Sequence, residues 1–423
     1  MTQNQIKIAI HESIVKEIDT NVLNDENKKD MLASNILIMI DDKLLSYEAD
    51  KETKARIKKE LVDEILGYGP ITDLLNNETV TEVMVNGPKK VYYETEGKLY
   101  LSDVTFKDDD HVMQIIERII SPIGRRIDES VPMVDARLPD GSRVNAIIHP
   151  LSITGPTITI RKFSKEPFTI NDLVRFDTLT QNMADFLDAC VRARLNIIVS
   201  GGTGSGKTTT LNVLSSFIPK TDRIVTIEDA AELQLNQDHV ITLESRPPNI
   251  EGKGTVSIRD LVKNSLRMRP DRIIVGECRS GEALDMLQAM NTGHDGSLTT
   301  AHANSPRDVL SRLETMVLMA GIDLPIRAIR EQVQGAIDLI IHQARMRDGS
   351  RRITHITEIV GMEGQRITMQ DIFVYKQTGV DADGKIIGEY TPTGIVPSFI
   401  ETLTSEGIDI DRKLFFPDNI LDI

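Results

Sequence analysis

The chain has 423 residues, 40% of them hydrophobic and 27% charged, with a formal net charge of −15 and two cysteines, Cys190 and Cys278. At about 150 residues per domain this suggests two or three domains with ordinary globular cores. The charge argues against a surface that coats nucleic acid, and two thiols build neither a disulfide framework nor a four-thiolate zinc site.

No apolar run approaches the ~18 residues of a membrane span, and the opening MTQNQIKIAI has no long apolar stretch of the secretory kind, so a cytoplasmic protein is expected. The charge is uneven. Residues 1–110 carry 14 basic and 23 acidic side chains, whereas 111–175 carry nine basic, seven of them Arg, and seven acidic. Such a local excess suits a local anion contact or an arginine-rich solvated face.

Residues 1–70 read as helices. Ile6, Ile10, Ile14 and Ile18 recur every four residues, Met31–Ser46 and Lys51–Leu66 repeat the pattern, and GYGP at 67–70 ends it. Residues 71–175 read as mixed α/β. Short strands follow Val80 with turns at Asn86-Gly87 and Glu96-Gly97, and a helix runs from Asp108 to Ile120. A hairpin then turns at Asp140-Gly141, followed by the strand TITIRKF. Residues 176–423 alternate helix (Leu179–Leu195) and strand (Asn196–Ser200, Arg223–Ile227, Arg272–Val275, Leu298–Ala301). That alternation predicts a parallel sheet with helices on both faces. Arg246–Gly254 and Thr378–Gly394 read as loops.

Gly201-Gly202-Thr203-Gly204-Ser205-Gly206-Lys207-Thr208 fits G-x-x-x-x-G-K-[ST] between a strand and a helix that opens with Thr209. Its backbone N–H groups can turn inward around phosphates at a helix N-terminus. Lys207 is placed for the β- and γ-phosphates and the Thr208 hydroxyl for Mg²⁺. The guanine-reading pattern at Asn27-Lys28-Lys29-Asp30 lies far upstream in an acidic helical segment and reads as chance.

Downstream, Glu228-Asp229 ends one strand, with Glu232 nearby, and Glu277 ends another in RPDRIIVGE, preceded by Gly276 rather than Asp. Carboxylates at such strand ends face the ligand crevice. His294 and His302 follow in NTGHDGSLTTAHANS, without a zinc spacing, and Cys278 reads as a small buried residue.

The order of these motifs resembles the secretion ATPase superfamily of type II and type IV secretion and type IV pili, over roughly residues 66–373. It looks closest to the CpaF branch of tight-adherence (Tad, type IVc) pili. The resemblance implies a RecA-like phosphate-loop ATPase domain preceded by a PAS-like mixed α/β domain and a helical bundle. It implies ATP and Mg²⁺ as ligands, held by residues 202–209. It makes IEDAAEL at Glu228 the Asp box, IIVGE at Glu277 the Walker B box, and TGHDGSLTTAHAN the His box with His302 as γ-phosphate sensor. RLPDGSRVN becomes the segment whose Arg137 and Arg143 reach the nucleotide, with Arg161 a further candidate. Water would be positioned by Glu228 or Glu277. A homohexamer docked at the cytoplasmic face on inner-membrane platform proteins is implied, with no direct nucleic-acid contact.

The tetracysteine motif of many type II relatives is absent. Ala328-Ile329-Arg330-Glu331-Gln332-Val333 departs from the AIRNLIRE-type segment of retraction motors. A type IV secretion ATPase, a DNA translocase and an ATP-binding scaffold stand as alternatives.

Overall fold

In a computed structural model of the chain the described residues are 3–17, 29–95, 97–163, 167–248 and 253–417. Ile18, the first half of the Asn27–Asp30 pattern, Glu96 of one expected turn and the centre of the 246–254 loop lie outside them. Two compact units divide the chain between Ser164 and Lys165.

The first unit opens with helices α1 (Gln3–Glu17), α2 (Lys29–Leu45) and α3 (Lys51–Ile65). The four-residue spacing of Ile6, Ile10 and Ile14 puts them on one helix face, where they bury against Ile36, Ile40, Leu44, Ile57 and Leu61. After α4 (Thr72–Asn76) comes an antiparallel sheet. Its strands are β1 (Val80–Asn86), β2 (Val91–Thr95), β3 (Lys98–Leu101), β4 (Met133–Arg137), β5 (Arg143–Ile147) and β6 (Thr157–Arg161), in the order β3-β2-β1-β6-β5-β4. Alternation sends Val83, Val85, Val144, Ala146, Ile158 and Ile160 to one face. There they share a core with Val112, Ile115, Ile116 and Ile119 of α5 (Asp109–Ile120), which Asp108 caps by accepting from the His111 N–H at 3.0 Å. Arg118 of α5 donates to the carbonyls of Glu64 and Gly67 at 2.6 and 2.7 Å, satisfying the exposed end of α3.

The second unit runs α6 (Ile170–Arg175), α7 (Gln181–Arg192), β7 (Ile197–Gly201), α8 (Lys207–Ser215), β8 (Ile224–Glu228), β9 (Val240–Glu244), α9 (Ile258–Ser265) and β10 (Arg272–Cys278). It continues with α10 (Glu282–Asn291), β11 (Leu298–His302), α11 (Pro306–Met319), α12 (Ile326–Ala336) and β12 (Leu339–Arg345). It closes with β13 (Arg351–Glu363), β14 (Arg366–Val380), β15 (Ile386–Pro392) and α13 (Ile400–Ser405). The nine strands form one sheet, β15-β14-β13-β12-β7-β11-β10-β8-β9, parallel from β12 to β9 and antiparallel from β12 to β15. Its central strands are apolar on both sides. Ile197 and Val199 join Phe186 and Leu211 of α7 and α8, while Ile198 joins Leu287 and Leu313 of α10 and α11. This is the expected parallel core with helices on both faces.

One expectation fails. Thr378–Gly394 is not a loop. β14 continues to Val380, a tight turn closes with Asp381 accepting from the Asp383 and Lys385 N–H groups, and β15 follows. These strands lie at the open edge of the sheet, where one side stays wet, so no apolar run marks them.

Candidate functional site

The loop that follows β7 is shaped from below by β12. Gln343 pairs with Gly201 in parallel register, and a Cβ on Gly201 would stand 2.1 Å from the Gln343 carbonyl oxygen. Only glycine fits there. The Gln343 side chain accepts from Thr210 Oγ1 of α8 at 2.6 Å, fixing the helix that carries the loop's far end. Lys207 Nζ and Ser205 Oγ both donate to the Gly202 carbonyl at 2.9 Å. Burial holds the Lys207 ammonium below the ordinary lysine range, with Glu277 pulling the other way. Gly202, Thr203 and Gly204 are exposed at the loop's rim, and Thr208 and Thr209 are half-buried in the first turn of α8.

Glu277 sits where the β10–β11 register shifts, between Val275 and Cys278, a bulge that re-aims its side chain. Its Oε1 is buried 3.0 Å from His302 Nε2, yet makes no hydrogen bond of good geometry. Its Oε2 accepts from Arg279 Nε at 2.8 Å and Nη2 at 2.5 Å, and Arg279 Nη1 reaches Asp229 Oδ2 at 3.5 Å. His302 is held below its ordinary value of 6.5 by burial and by Lys207, so it is neutral at pH 7. Lys207, Glu277 and His302 thus converge at the C-terminal ends of β7, β10 and β11.

Glu228 is different. It is buried, and its carboxylate accepts from the Glu232 N–H at 2.9 Å and the Leu233 N–H at 3.2 Å. It therefore holds the loop after β8, and Asp229 accepts from Ser245 Oγ beside it. His294 is not part of the cluster. It precedes β11 at the strand's other end, where Ser297 binds Asn196. Cys278 and Cys190 are buried thiols, Cys278 pushed up to about 12 by desolvation.

In the first unit the Asp140-Gly141 turn sets Arg137 opposite Arg143, and Arg143 in turn opposite Arg161. Three arginines thus stand in register across β4, β5 and β6, on the sheet face turned away from α5. Asp135 lies 3.8 Å from Arg143.

The sequence reading missed Arg279 and Gln343. Arg279 had a signal, since a cation two residues after a strand-end glutamate is within reach of its carboxylate. Gln343 had none, because its role is set by a pairing 142 residues away in the chain. Among the described residues no group of three His, Cys, Asp or Glu side chains is placed to hold a metal, and no helix is long and apolar enough to cross a membrane.

Residues 64–386 match the family described as Type II/IV secretion system protein. A putative conjugal transfer protein of Mycobacterium tuberculosis is 35% identical over 322 residues, 75% of this chain and 91% of that one. The conjugal transfer protein TrbB of Rhizobium radiobacter is 32% identical over 296 residues, 69% and 86% of the two chains. The crystal structure of the pilus retraction motor PilT with bound ADP shares the fold, with a TM-score of 0.51 at 21% identity over 71% of this chain and 80% of that one. With its phosphate loop, its two carboxylate-tipped strands and its His302, the chain belongs to the type II/IV secretion system protein family.

Proposed function

We propose that the chain is a motor that hydrolyses ATP with Mg²⁺ to drive an envelope-spanning secretion or pilus machine. The observation that carries this is the convergence of Lys207, Glu277 and His302 beside the phosphate loop. Phosphoryl transfer to water needs positioning and charge stabilisation more than covalent help. Lys207 neutralises β/γ oxygens. Glu277, with one buried oxygen lacking a hydrogen bond, orients the attacking water, and neutral His302 next to it donates toward the γ-phosphate. Glu228 keeps the loop after β8 in place rather than acting on water. The donor set suits Mg²⁺: a threonine hydroxyl and a nearby carboxylate, with substrate phosphates completing the shell. The ion would be held by Thr208 and would neutralise charge on the transferred group.

Arg137 and Arg143 would reach the phosphates from the first unit, and their alternate approach would couple hydrolysis to movement. The motor would work as a homohexamer docked on membrane platform proteins at the cytoplasmic face. The relatives named for conjugal transfer support protein or nucleoprotein export, while the order of motifs supports assembly of a Tad pilus. Nucleic acid stimulating the ATPase would favour a translocase instead.

The test is steady-state hydrolysis. Lys207→Ala removes all turnover, and a third of wild-type activity in that variant would sink the reading. Loss of pilin export or of conjugative transfer in a strain lacking the protein separates the two cargoes.

A further inference from the structure

His302 ends β11, and the chain crosses to α11 through Ala303, Asn304 and Ser305. The backbone of this crossing is held at several points. The Ala303 N–H donates to the Gly201 carbonyl at 3.4 Å, and the Asn304 N–H donates to Asp308 Oδ2 of α11 at 2.8 Å. A further hold comes from another strand. His342 of β12 pairs in register with Ser200, the residue before the phosphate loop's first glycine. Ile340 and Ile198, two residues earlier, pack on the face covered by α10 and α11, so alternation puts His342 and Ser200 on that face as well.

His342 is 6% exposed there, with its Nδ1 2.9 Å from Ser200 Oγ, and its ring also hydrogen-bonds the Asn304 backbone. The Asn304 N–H is already given to Asp308, so the ring meets the carbonyl and donates to it. One nitrogen that donates leaves the other to accept from the Ser200 hydroxyl, which fixes a single neutral tautomer. Nε2–H then serves Asn304 and Nδ1 serves Ser200. His355, opposite His342 on β13, turns its own Nδ1 to Thr354 instead. A buried imidazole costs free energy unless its nitrogens are bonded, and here both are, one to each side of the site.

We propose that His342 is a positioning residue for hydrolysis: it ties the Asn304 carbonyl to the strand end beneath the phosphate loop and so sets the position of His302. The proposal rests on the loop being a nucleotide site with His302 acting on the terminal phosphate. One planar ring spans from the residue before Gly201 to the second residue after His302, so displacement of either end is felt at the other. Holding the nucleotide does not need this link, because Lys207 and the N–H groups of the loop supply that. Placing His302 does need it, and a misplacement of about 1 Å in such a site costs up to about 100-fold in rate.

The experiment measures single-turnover ATP hydrolysis and the Kd of ATP on the full chain, with thermal unfolding as the check on folding. The variants are His342→Asn, His342→Gln, Ser200→Ala, His302→Ala and the doubles that combine His302→Ala with His342→Asn or with Ser200→Ala. Asparagine keeps an acceptor for Ser200 but is too short to reach Asn304, whereas glutamine carries an amide N–H near the Nε2 position. His342→Asn should cleave ATP about 10- to 100-fold more slowly with Kd within twofold of wild type, and His342→Gln should recover part of the loss. On top of His302→Ala, His342→Asn should add less than twofold, because residues that act through one another are not additive.

A His342→Asn rate within twofold of wild type overturns the proposal. So does a full additive loss in the double variant, which would make His342 a general support of the sheet, and so does a Kd weakened as much as the rate. If His342→Asn unfolds, Ser200→Ala carries the test: a several-fold slower rate that disappears in the His302→Ala background supports the proposal, and any other result ends it. A wild-type chain that does not bind ATP fails the loop reading instead, and wild-type cleavage by His302→Ala fails the role given to His302.

Discussion

Gly276 and Glu228 lie side by side on neighbouring strands, so close that a Cβ on the glycine would stand 2.7 Å from the glutamate's Cγ. The glycine before Glu277 is thus what lets Glu228 lie across β10 and receive the Glu232 and Leu233 N–H groups. Gly276→Ala pushes that side chain out and frees the loop after β8. Overpacking of this kind costs about 1–3 kcal/mol. The expected outcome is a lower unfolding temperature and a turnover reduced at least tenfold, read by thermal melts and steady-state ATPase. A variant with wild-type values for both would leave Gly276 without this role.

Glu277 and Arg279 should separate binding from cleavage. Glu277→Gln keeps the shape of the side chain and loses its charge, so ATP still binds while hydrolysis slows by orders of magnitude. Arg279→Ala removes the two bonds that orient the same carboxylate. Its kcat should fall about 10- to 100-fold with little change in ATP Kd, given ~1.5–3 kcal/mol for charged hydrogen bonds. Arg279→Lys should recover less than half of the loss, because an ammonium cannot copy the forked contact. Collapse of ATP binding in Glu277→Gln would reassign Glu277 to a structural role.

Arg137 and Arg143 are predicted to act on the nucleotide from the first unit. Either alanine variant should fold and assemble while turnover falls steeply, since arginine fingers contribute about 10³–10⁵. A surface ion pair such as that of Arg143 with Asp135 contributes only about 0–1 kcal/mol. Size-exclusion profiles and ATPase rates of the two variants decide, and wild-type rates in both would remove these arginines from the mechanism.

Two buried groups give opposing acid dependences in the second unit. His342, beside Ser200 and facing His355, Asp308 and Lys207, is lowered to about 4 by burial. The unfolded chain takes up that proton near 6.5 and the folded one near 4, so stability is lost as pH falls between them, by about 3 kcal/mol. Asp338, raised to about 6 by burial near Asp295 and Glu358, works the other way: the folded form is protonated first, adding about 3 kcal/mol as pH falls from 6 toward 3.8. The wild-type slope is therefore shallow. Asp338→Asn keeps an acceptor for the Asn196 N–H and removes the compensation. Urea unfolding at pH 6.5 and pH 4 should show about 2 kcal/mol more acid loss in that variant than in wild type. Identical slopes would contradict the assignment.

Much of this was legible from residues alone, for definite reasons. The strand–loop–helix around Lys207 declares itself because its glycines and lysine are consecutive. Glu228 and Glu277 each end a short, mostly apolar strand run, and His302 follows LTTA, so their shared edge follows from the parallel pattern. The choice between the two glutamates did not follow, because it depends on which carboxylate meets backbone N–H groups, a matter of loop path. The strands after residue 339 were hidden for another reason. On a half-wet sheet edge Thr, Gln, Lys and Glu alternate with apolar residues too irregularly to give a period of two, and bulges interrupt the register at His342/Gln343 and Gln377/Gly379.

The contact between Gln343 and Gly201 has a consequence for any shortened version of the protein. A chain cut after Ala336 would retain every letter of the GGTGSGKT signature and its flanking strand and helix. It would lack the neighbouring carbonyl against which Gly201 is moulded and the amide that anchors Thr210. Such a fragment would pass every motif search and present a slack loop, because the mould for the phosphate pocket is cast from the far end of the polypeptide.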